Sequence, residues 1–191
     1  MRKILKNRLA LSTVVTTLII LVVSVLLAGV VTYFAINVVS TRVQQESLSI
    51  SCPSVWVDKA GNAQAAMIIT NTGGRDVVIN QIQIRGIAAT ISHSGNVYFE
   101  VNVGGTVPTS LSAQATVAGT KVFSSDSNSL ALPASGSTAL VLTSGSTMAV
   151  YITAPTSVSI NDIGTTIGMT VFTSQAMYYT ETNVQTTSVS L

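Results

Sequence analysis

The chain has 191 residues, of which 8 % are charged and 47 % hydrophobic, and its formal net charge is +2. An average soluble domain is about a quarter charged, so part of this sequence is not ordinary water-facing surface. Four of the nine basic residues fall in the first ten positions, and the remainder carries five basic against seven acidic groups, which excludes the basic stripe that a nucleic-acid binder needs.

The basic residues Arg2, Lys3, Lys6 and Arg8 precede a run from residue 9 to residue 41 without a charge. As a helix those 33 positions would extend about 50 Å, against about 30 Å for a bilayer's hydrocarbon core. The run is rich in β-branched residues (Val14, Val15, Ile19, Ile20, Val22, Val23, Val25, Val30, Val31), which are weak helix formers in water. In hydrocarbon, however, a lone span must satisfy its own backbone and so must be helical. Being apolar on every side, the helix needs lipid or like helices all round. The pattern predicts that it continues through Thr41–Glu46 and that the chain changes character near Cys52-Pro53. The apolar core of a secretory signal peptide, about 7–15 residues, is too short to describe this run. A signal anchor fits its length, with the basic residues kept in the cytoplasm.

From Cys52 onward the period becomes two. Strands are expected at Gln64–Thr70, Val77–Ile84, Asn96–Val103, Ala115–Phe123, Ala139–Thr143, Thr147–Thr153, Ile167–Thr173 and Met177–Val189. The apolar phase shifts inside Val77–Ile84, which marks a bulge. Turn signals at Thr72-Gly73-Gly74, Ser94-Gly95-Asn96, Gly104-Gly105, Ala134-Ser135-Gly136 and Ser144-Gly145-Ser146 separate the strands, and Ser124–Ser137 reads as a surface loop. Short strands so punctuated indicate an all-β sandwich or barrel. The expected fold class is therefore α+β, a long N-terminal hydrophobic helix followed by an immunoglobulin-like sandwich. Tyr178 and Tyr179 suit a half-buried strand with one ring inside.

Chemistry leaves no pattern. Cys52 is the one cysteine and His93 the one histidine, so Cys52 reads as a small buried hydrophobe. Asp58, Asp76, Asp126 and Asp162 do not follow the spacing of a calcium loop and read as turn caps. Gly-x-Ser-x-Gly, His-Glu-x-x-His and a phosphate-binding glycine loop are all missing from the sequence. No enzyme activity, cofactor, metal or small-molecule substrate is expected.

The stretch Lys6-Asn7-Arg8-Leu9-Ala10-Leu11-Ser12-Thr13-Val14-Val15 has a basic leader, a small residue, then Leu-Ser and a long apolar run. It resembles the start of archaeal type IV pilins and the related archaellins. Residues Ile69–Gly86 resemble the strand–turn–strand early in the outer domains of those subunits. The resemblance implies a class III signal, cut by a prepilin peptidase between Ala10 and Leu11, with Arg8 in the leader. Leu9 stands between Arg8 and Ala10, where the family has the basic residue next to the small one. Bacterial pilins carry a glutamate five residues into the mature chain, and Val15 holds that place here.

The implied organisation is a leader over 1–10, a membrane and filament-core helix over 11–51, and an outer β-domain over 52–191. The implied function is that of a major pilin, a structural subunit of an extracellular adhesive filament, held in the cytoplasmic membrane before assembly. Its partners would be the peptidase, the assembly machinery and copies of itself. Ser24, Ala28, Gly29, Thr32 and Ala35 are small or hydroxylated and would let helices approach closely. The alternatives are an anchored surface β-domain that never polymerises, an archaellin-type motility subunit, or an anchored enzyme.

Overall fold

The uncharged N-terminal run closes its backbone hydrogen bonds on itself in a single helix, α1, over Arg2–Val43. The computed structural model describes residues 2–43, 45–104, 106–124 and 128–191, and leaves the side chains of residues 2–11, 42 and 43 outside the description. The helix stops at Val43, short of the expected run to Glu46, and the first strand opens at Leu48, ahead of the expected boundary at Cys52. The reason lies in the sheet: the Ser47 carbonyl accepts the N–H groups of Thr72 and Gly73, which draws the chain into extended pairing before the polar residues can extend the helix. Met1–Val43 and Gln44–Leu191 form two separate compact units.

Among the described residues nine strands follow: β1 (Leu48–Val57), β2 (Ala63–Asn71), β3 (Val77–Ile84), β4 (Ile87–Ala88), β5 (Val97–Val103), β6 (Leu140–Leu142), β7 (Ser146–Thr153), β8 (Thr166–Thr173) and β9 (Met177–Thr186). They make one mixed sheet in the order β4-β3-β8-β9-β1-β2-β7-β5, with β6 also on β3. The parallel contact is β1 with β9, over Val55–Val57 and Val184–Thr186. Before that point, Met177–Asn183 pairs antiparallel with β8. Strand β9 thus passes from one half of the sheet to the other. The class is α+β, a long apolar helix followed by a large mixed sheet curved into a half-barrel.

The curvature encloses one core. Met67 and Ile69 of β2 and Val150 and Ile152 of β7 share a cluster with Ile79 and Ile82 of β3 and Met169 and Val171 of β8. The phase shift in β3 is a register shift against β8 between Ile79 and Gln81, which lets both Ile79 and Ile82 face inward.

Strands β2 and β7 are buried on both faces. Their second face is covered by the long connection between β5 and β6. The strand expected at Ala115–Phe123 is not formed, because these residues pack as a cover instead of pairing. Val117 and Leu130 join Trp56, Ala66 and Tyr151 in a second cluster, with Val122 against it. Phe123 is fully buried, and Leu130 belies the expected surface loop over Ser124–Ser137. The rings of Trp56 and Tyr151 stack beneath, 6.4 Å between centroids and 17° between planes. Burial pushes the Tyr151 hydroxyl up to about 12. Gly105 and Asp126, read above as turn residues, lie outside the described residues.

Both free edges of the sheet are interrupted. On β5, Phe99 exchanges two backbone hydrogen bonds with Ala131, and the Asn128 amide donates to the Val101 carbonyl. On β3, Val77–Ile79 pairs with β6 and Gln83–Ile84 with β4.

Candidate functional site

The residues that set this chain apart lie on α1. Within the 30 residues Ser12–Thr41 an 18-residue stretch reaches a mean hydropathy of 2.9. Eighteen large apolar side chains between Val14 and Val39 are each at least 45 % exposed. Burying one such side chain is worth about 1.5–3 kcal/mol, so this surface strongly favours leaving water. Five of its hydroxyls do not oppose that transfer. Thr16 donates to the Ser12 carbonyl, Thr17 to Val14, Ser24 to Ile20, Thr32 to Ala28 and Thr41 to Asn37. A hydroxyl bonded within its own helix needs no water, which makes the span compatible with hydrocarbon or a dry helix bundle.

At 100° per residue, Ser24, Ala28, Thr32 and Ala35 fall within an arc of about 80°. Gly29 lies about 60° beyond that arc, so four of the five expected packing residues share a face and Gly29 borders it. All five are exposed. The expected processing residues Arg8, Ala10 and Leu11 belong to the part of α1 whose side chains lie outside the description.

In the β-domain the chemistry-bearing residues are spread apart. Among the described residues no three His, Cys, Asp or Glu side chains converge. The His93 ring nitrogen Nδ1 lies 3.2 Å from the Pro133 carbonyl, where it tethers the cover. Cys52 is half-buried, not buried as expected. It sits in the β1 bulge at a φ of 51° and donates its S–H to the Thr109 carbonyl at 3.1 Å.

The three described aspartates do bond to turn residues. Asp58 accepts from the backbone N–H groups of Ala60, Asn62 and Leu191 and from the Asn62 amide. These bonds, the Asn62 amide first, hold its carboxyl below the usual value. Asp76 accepts from the Ser144 N–H. Asp162 accepts from Ser159 and forms an ion pair with Arg85 at 2.7 Å.

No known protein family and no curated protein matches this chain. Its reading therefore rests on the residues themselves.

One arrangement escaped sequence reasoning. Tyr178 packs against the core, whereas Tyr179 is 60 % exposed. A Cβ on Gly168 would lie 2.6 Å from Cε2 and from Oη of Tyr179, so the ring rests directly on the β8 backbone. Its hydroxyl donates to Glu181 at 2.8 Å, and that bond raises its pKa. The available signal was the glycine inside a strand, which marks a close approach.

Proposed function

We propose that this chain is the precursor of a structural pilin, a non-enzymatic subunit that polymerises through its N-terminal helix into an extracellular, archaeal type IV pilus-like adhesive filament. The observation that carries this reading is α1: its span Ser12–Thr41 is uncharged and apolar on all sides, five of its hydroxyls are bonded to its own backbone, and it is joined to a domain that has its own core. Such a helix can be stored in lipid and then moved among identical helices at a filament axis with little change in hydrophobic burial. Close packing then has to hold the polymer, as it does between membrane helices. The face bearing Ser24, Ala28, Thr32 and Ala35, with Gly29 at its border, is where neighbouring helices would meet. Repetition of one heterologous contact generates an open helix.

In this reading the outer domain is an immunoglobulin-like sandwich that forms the sheath and adheres. The sharing of one core by the two halves of the sheet supports that topology. Processing would precede assembly, with the leader cut between Ala10 and Leu11.

The test is N-terminal sequencing of protein sheared from whole cells, with the same fraction viewed by negative-stain electron microscopy. Thin filaments whose subunit starts at Leu11 are expected. Protein released only by detergent, starting at Met1 or Arg2 and without filaments, would replace this reading with that of an anchored, non-polymerising surface domain.

A further inference from the structure

The two halves of the sheet differ on their outer faces. Over β1, β2 and β7 the long connection forms a cover, held by Val117 and Leu130. Over β3, β8 and β9 no outward-facing residue is buried, and the outward side chains are almost all uncharged. Gln83 is opposite Thr170, and Thr170 is opposite Tyr179, so these three stand in one row across three strands. The neighbouring row is Gln81, Phe172 and Met177. The amide of Gln83 donates to Gln81 at 3.3 Å, which links the rows. Among these positions on β8 and β9, Glu181 is the one charged residue, and it already accepts the Tyr179 hydroxyl.

The Tyr179 ring is prepared in advance. Gly168 leaves room for the ring against the backbone, Glu181 holds its hydroxyl, and the residue is still 60 % exposed. An open, immobilised aromatic face is electron-rich and attracts polarised C–H groups. Amides and a hydroxyl alongside it can exchange hydrogen bonds with neutral hydroxyls. Three strands in a row span about 10 Å, the length of about two pyranose rings. Glu181 is engaged by the Tyr179 hydroxyl and Arg85, two residues beyond Gln83, by Asp162, so the charges bordering the rows are already partnered, and a purely apolar ligand would leave the glutamines without partners.

We propose that the Gln83–Thr170–Tyr179 row is a binding site for a neutral polysaccharide. One pyranose stacks its C–H face on Tyr179 beside Thr170, and the hydroxyls of the next one along the chain meet Gln83 and Gln81. The site goes beyond the filament reading and does not depend on polymerisation, since a single detergent-held subunit carries all of it.

The test is native affinity electrophoresis of the full chain in detergent, through gels containing hydroxyethylcellulose, mixed-linkage β-glucan or galactomannan, with alginate as the charged control. Retardation by at least one neutral polysaccharide is expected. Tyr179→Ala should weaken it about tenfold, Gln83→Ala should weaken it less, and Tyr179→Phe should retain most of it. Trp56 fluorescence, which reports on the opposite half of the sheet, verifies that each variant is folded. Absence of retardation in all three neutral gels overturns the proposal. So does retardation by alginate alone, or retardation equal in the wild type, Tyr179→Ala and Gln83→Ala.

Discussion

Gln64 and Gln114 clasp each other across the outer face of the sheet: the Gln64 amide donates to the Gln114 carbonyl at 3.0 Å, and the Gln114 N–H donates to the Gln64 side-chain oxygen at 2.8 Å. Gln64 is only 2 % exposed. Both polar ends of one buried side chain are thus spent on the backbone of a connection that has no strand partner there. Beside it, the buried Tyr151 hydroxyl donates to the Ser112 carbonyl. The cover is fastened by side chains that stand on β2 and β7.

Gln64→Leu should therefore loosen the cover without emptying the core. It leaves the N–H and C=O of the half-buried Gln114 without their partner, which costs at most about 1–3 kcal/mol. Urea unfolding followed by Trp56 fluorescence measures this loss. A variant as stable as the wild type would show that the clasp contributes nothing.

Phe123→Ala should behave as a core substitution, although its residue lies in no regular element. Phe123 is fully buried, and such truncations cost about 3–5 kcal/mol. The same unfolding assay applies. A loss below about 1 kcal/mol, the size usual for exposed positions, would mean that the cover is not part of the core.

The Arg85–Asp162 pair gives the domain a pH signature. The Arg85 hydrogen bond, with help from Ser159, holds the Asp162 carboxyl below its ordinary 3.8. A depressed carboxylate adds stability above its unfolded pKa and loses it as pH falls through the folded one. Asp162→Asn should melt earlier than the wild type at pH 7, and the gap should close as the pH is lowered below about 3.8. Thermal melts across that range decide the matter. A gap that persisted unchanged at pH 2 would assign the effect to something other than charge.

Val23→Asp should abolish filaments. Val23 lies mid-helix, 47 % exposed, and a carboxylate placed there would be buried unpaired in either lipid or a helix bundle. Filament yield by electron microscopy is the readout, with membrane-fraction immunoblots to separate failed assembly from failed insertion. Wild-type yield would remove α1 from the filament axis.

The helix was legible because composition alone excludes water as its surroundings. Its end was not, because what stops it is the Ser47 carbonyl meeting Thr72 and Gly73, a contact between residues distant in sequence. Strands β5 and β8 were legible from alternation and from the turns that bound them, and β7 from its bounding turns and its apolar run. Ala115–Phe123 was misread because apolar residues spaced for a sheet face can equally be spaced to lie on one. The unbroken apolar runs of β2 and β7 did carry a signal that both faces are covered, but nothing local says which segment does the covering. The parallel contact of β1 with β9 likewise joins opposite ends of the domain. At the candidate site, the small residues of α1 could be found by type, and their shared face follows from helix geometry. The Tyr179–Gly168 contact could not be found by type, since it joins a glycine on one strand to an aromatic on the next.

The interrupted edges of the sheet bear on crowding. A strand with unpaired N–H and C=O groups is a template for any similar strand nearby, and a surface coat or a polymer places identical domains side by side at very high local concentration. Here Ala131 and Asn128 occupy the β5 edge, while β4 and β6 divide the β3 edge into short lengths. Neighbouring domains can therefore be packed shoulder to shoulder and still part as separate folded units, without zipping into a continuous fibre of β-structure.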